Sequence, residues 1–156
     1  MTEPDVALTD YALTLECAVL ALWVFRAQWA DGVLQRLWGT LFIAIGVSAV
    51  TGGTVHGFFL APGSVRDVLW TITLLALGVV SFLMWWIGAR LGLAPAVGQW
   101  VRLVALAQLV VYAAVVLFIS SEFGVAIAAY APATLFLLAT MTLAYRRGSD
   151  RCLAWG

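Results

Sequence analysis

Charge is scarce in this chain, and one cation is missing: there is no lysine, all eight basic residues are arginine, and there is one histidine. Only 10% of the 156 residues are charged and 64% are hydrophobic, where a soluble domain has about 25% and 45–50%. This excludes a soluble globular protein. A net charge of zero without a basic cluster argues against nucleic-acid binding. Cysteine is limited to Cys17 and Cys152, which excludes a disulfide framework or a CxxC zinc signature. No P-loop, GxSxG, HExxH or dinucleotide fingerprint is present. The N-terminus, Met1-Thr2-Glu3-Pro4-Asp5, is acidic and lacks the basic region of a cleavable signal peptide. The first hydrophobic run therefore reads as a permanent span.

What remains is hydrocarbon, with a mean hydropathy of +1.04. The runs are about twice the length of a barrel strand and do not alternate, so an all-α polytopic bundle is predicted. Five spans are expected, over about 8–25, 37–60, 68–89, 101–119 and 125–145. Thr9 or Asp10 is the expected N-cap of the first. Ala61-Pro62-Gly63 ends the second, and Pro132 lies near the start of the fifth. Arg26, Arg36, Arg90, Arg102, Arg146, Arg147 and Arg151 fall on one side, and Arg66 on the other beside Asp67. The positive-inside rule makes the arginine-rich side cytoplasmic and puts the N-terminus outside. Arginine as the sole cation suggests a GC-rich bacterial genome and hence the inner (cytoplasmic) membrane. Residues 150–156 turn apolar again, as the start of a truncated sixth span or as an amphipathic tail.

Ionisable groups at membrane depth cost about 2.5–3.5 kcal/mol on insertion scales, so each needs a reason. His56 lies in the glycine-rich end of the second run, and Glu16 in the first. Counted from the predicted span ends, they lie about 9 and 12 Å below the outer surface. Antiparallel neighbours would bring them together, with the carboxylate orienting the imidazole as in metal and catalytic sites. Alternatively His56 is hydrogen-bonded within a tight helix interface, since Gly53 and Gly57 have the GxxxG spacing of helix–helix contacts and of oligomers. Thr51, Thr54, Thr71, Thr73 and Thr134 are expected to bond their own i−4 carbonyls. Gln108 and Tyr112 read as helix–helix glue, and Asp67 with Arg66 as a solvated pair.

Thr9-Asp10-Tyr11…Glu16, followed by Gly52-Gly53-Thr54-Val55-His56-Gly57, resembles a bacterial membrane family of unknown function. That family is similar in turn to the CREST superfamily of alkaline ceramidases, progestin and adiponectin receptors and lipid-remodelling hydrolases. The resemblance implies a seven-helix bundle whose zinc is held by one histidine of the second helix and two of the last, with a serine and an aspartate nearby. His56 matches the first ligand in position and Asp67 the aspartate. Gly52 stands where the serine is expected, and the last two helices lie beyond five spans.

Three functions follow. The resemblance implies a zinc-dependent hydrolase of a lipid amide or ester, with His56 on the metal and Glu16 or Asp67 orienting a ligand or moving protons. The second is a non-catalytic bundle that binds a lipid, ligand or partner, with His56 and Glu16 as an internal clamp. The third, a proton relay, lacks carboxylates or histidines to continue the path inward.

Overall fold

Prolines and one carboxylate decide where the helices begin. Pro4 and Pro95 open helices from the first turn, where a missing N–H costs nothing and a fixed φ is pre-organised. Asp31 caps another, accepting from the Val33 and Leu34 N–H groups at 3.0 and 3.1 Å. The computed structural model describes residues 3–59, 61–146 and 148. Its five helices are α1 (Pro4–Arg26), α2 (Gly32–Phe58), α3 (Ser64–Gly92), α4 (Pro95–Phe118) and α5 (Phe123–Arg146). All five are long and apolar enough to cross a membrane. The expected segment 150–156 lies outside the described residues.

Most helices overrun the predicted spans, because apolar runs mark only the hydrocarbon-facing part and the helix continues to its caps. The largest consequence is in α1, which starts at Pro4 rather than near Leu8. Thr9 and Asp10 are therefore interior residues, not caps, and the Thr9 hydroxyl donates to the Asp5 carbonyl at 2.8 Å. Pro132 lies well inside α5.

Helix α3 is the hub, packing against α2, α4 and α5, whereas α1 packs on α2 alone. Among the described residues α2 meets neither α4 nor α5. In lipid, helix association depends on close packing and hydrogen bonds rather than on hydrophobic burial, and glycine permits the approach. A Cβ at Gly53 would lie 2.7 Å from the Asp10 Cβ, and one at Gly57 3.2 Å from the Ala7 Cβ. The Gly53/Gly57 face, read from sequence as available to another molecule, is thus occupied by α1 of the same chain.

Polar side chains add the expected glue. The Tyr112 hydroxyl donates to the Leu74 carbonyl at 2.8 Å, joining α4 to α3. Ser81 and Gln108 both donate to the Ala129 carbonyl, at 2.9 and 3.1 Å. Gln35 Nε2 donates to the Val24 and Ala27 carbonyls, both at 2.7 Å, closing the α1–α2 turn.

Candidate functional site

His56 lies two residues from the end of α2 and meets the start of α1. Its Nδ1 is 2.6 Å from Glu3 Oε2, and the Glu3 N–H donates to the His56 carbonyl at 3.3 Å. The ring of Trp70 of α3 stands nearly perpendicular to the imidazole with centroids 6.0 Å apart, while its indole N–H donates to the Ser121 carbonyl at 2.8 Å. Asp10 lies within electrostatic range of His56, with its carboxylate over Gly52 and Gly53. Deeper in, the Tyr11 and Thr54 hydroxyls are 3.1 Å apart and those of Thr51 and Thr73 are 2.8 Å apart. Thr51, Thr54, Thr71, Thr73 and Thr134 all also donate to their own i−4 carbonyls, as expected.

The partner of His56 is therefore Glu3, not Glu16. The buried face of α1 runs Ala7, Cys17, Ala21 and Val24, with Asp10 and Thr14 against α2. At 100° per residue Glu16 points roughly 130° from the centre of that face, and it is exposed. It is also at the wrong depth. Glu16 is twelve residues into α1 and His56 two from the end of α2, a difference of about 15 Å. Starting the first span near Leu8 placed Glu16 too shallow. Asp67 does not join His56 either: it is exposed in the first turn of α3, 3.2 Å from Arg66, in the surface pair expected of it.

Glu3 was hidden in sequence because it precedes the apolar run. The signal that could have found it is Pro4, whose preference for the first helical turn puts residue 3 level with the end of an antiparallel second helix. The zinc that the CREST resemblance implies does not fit these residues. A catalytic zinc takes three protein ligands, and among the described residues no three His, Cys, Asp or Glu side chains converge.

The opposite, arginine-rich end holds a cavity of about 900 Å³, between the start of α2, the end of α3 and the start of α4. Trp29, Trp86, Asp31, Arg36, Arg90 and Arg102 line it. Arg90 forks onto Asp31, Nε to Oδ2 at 2.7 Å and Nη2 to Oδ1 at 3.1 Å. That hydrogen-bonded guanidinium, helped by the backbone N–H groups of Leu34 and Val33, holds the Asp31 carboxyl below the usual carboxylate range. Arg102 lies over the Trp86 ring, 5.9 Å from its centroid. Arg36 and Arg102 turn Nε to the carbonyls of Gly32 and Gly98, each at 3.2 Å. Among the described residues neither pairs with a carboxylate. The α2 and α4 residues that line it belong to helices that do not pack on one another.

No curated protein and no solved structure matches the chain. Residues 6–156 match a family of unknown function, DUF6962. The match takes in α1 from Val6 onward, the other four helices, the His56 end apart from Glu3, and the arginine-lined cavity, so the chain belongs to this family of unknown function, DUF6962.

Proposed function

We propose that this chain is a non-catalytic membrane bundle that holds a lipid or lipid-like ligand. The observation that carries this reading is the cavity of about 900 Å³ beside the gap between α2 and α4. It has the volume of a ligand pocket, roughly 300–1,000 Å³, and combines apolar walls with a few polar groups at an interfacial depth. The pairing of His56 with Glu3 supports the same reading, since it ties two helix ends together. The clamp proposed from sequence is kept, with Glu3 in place of Glu16.

The alternative, a CREST-like zinc hydrolase of lipid amides or esters, draws its support from the position of His56 near the end of the second helix. Asp67 and Glu16, to which that reading gives proton-handling roles, lie away from the imidazole. The bacterial inner membrane, with the arginine-rich end cytoplasmic, remains part of the proposal and rests on the arginine distribution.

Native mass spectrometry of the detergent-purified protein tests the reading. Val33 lines the cavity and is 38% exposed, so Val33→Trp fills space without opening the core. Retained lipid on the wild type, lost in V33W, is the expected result. A wild type that sheds all lipid, or a V33W protein that retains it equally, would refute it.

A further inference from the structure

We infer that the cavity at the arginine-rich end recognises the net negative phosphate headgroup of an anionic lipid; this rests on the ligand-holding reading above and names its chemistry. The charge of the lining points to an anion. Arg36, Arg90 and Arg102 face a single carboxylate, Asp31, which Arg90 already engages through two hydrogen bonds. Arg36 and Arg102 spend only Nε, on carbonyls of their own helices. Their terminal guanidinium nitrogens make no hydrogen bond to any described residue. Two forks of this type suit the oxygens of a phosphate.

Position argues for a lipid as the carrier. Trp86 beneath Arg102 and Trp29 across the cavity are residues that favour the headgroup level. Leu34, Leu91 and Leu93 continue the lining as apolar wall. The α2 and α4 backbones do not approach one another, which leaves room between them for an acyl chain. The start of α4 also lies here with no side-chain cap, so its macrodipole adds positive potential.

The protein would be reconstituted in nanodiscs of equal phosphatidylglycerol and phosphatidylcholine, released, and its retained lipids weighed by native mass spectrometry. Phosphatidylcholine also carries a phosphate but is neutral overall, so preference reports net anionic charge. Two unpaired arginines predict a preference of about 25-fold, roughly five-fold each. Arg36→Gln with Arg102→Gln should abolish it, whereas Arg66→Gln at the other end should not. Millimolar inorganic phosphate should leave the lipid in place; if phosphate displaces it, the carrier is free phosphate and the lipid assignment fails. Equal retention of both lipids, or a preference unchanged in R36Q/R102Q, overturns the inference while leaving lipid holding intact. Retention of neither lipid overturns both.

Discussion

The contact between the His56 imidazole and the Glu3 carboxylate is reached by water from both sides. The side chains of His56 and Glu3 are 31% and 44% exposed, and polar pairs at that exposure contribute about 0–1 kcal/mol. A double-mutant cycle with Glu3→Ala and His56→Ala, read by thermal unfolding in detergent, should give a coupling below about 1 kcal/mol. The same cycle with Glu16→Ala should be additive within about 0.5 kcal/mol, since the two groups lie about 15 Å apart in depth. A larger Glu16–His56 coupling would restore the pairing expected from sequence.

Asp31 has two separable roles, capping α2 and holding Arg90. Asp31→Asn keeps a good cap and loses the ion pair, whereas Asp31→Ala loses both and should cost about 1 kcal/mol more. The sign of the pH dependence follows from the lowered pKa. Its contribution is fully present above the unfolded carboxyl value of about 3.9 and fades as pH falls through the lower folded value. Wild type and D31N melting temperatures should therefore converge on acidification below about pH 4 and stay apart at pH 7. A gap that is constant over that range would exclude the ion pair as its source.

Among the elements, α1 depends on a single neighbour, α2, and its outer face is left to lipid. Gly53 sits at the contact, where an added methyl would meet the Asp10 Cβ at 2.7 Å and the Ala7 carbonyl at 3.3 Å. Neither neighbour is the end of a flexible chain. Gly53→Ala should cost about 1–3 kcal/mol, the usual range for overpacking, and should speed proteolysis within residues 27–31. Unchanged stability and cleavage would show that α1 can shift freely on α2. The helix count and the glue roles of Gln108 and Tyr112 were legible in sequence because apolar length and isolated polar groups carry them directly. The start of α1 was not: hydropathy reports where lipid contact begins, whereas Pro4 reports where the helix begins, and that shift, together with the end of α2 at Phe58 short of Pro62, is what put Glu16 level with His56 in the sequence reading.

As a whole the molecule is an open arrangement around α3, with a gap between α2 and α4 that no sequence pattern announces. Each arginine at that end is ordinary by itself, explained by the positive-inside rule. Their convergence on one cavity depends on which helices fail to touch. A photoreactive phosphatidylglycerol with its label near the headgroup tests the proposed ligand site most directly. After irradiation in nanodiscs and peptide mapping, the adducts should fall on residues 29–36 and 86–102, at the cavity between α2, α3 and α4. Adducts spread along the outer faces of α1 and α5, with none in those two segments, would contradict a lipid-holding bundle.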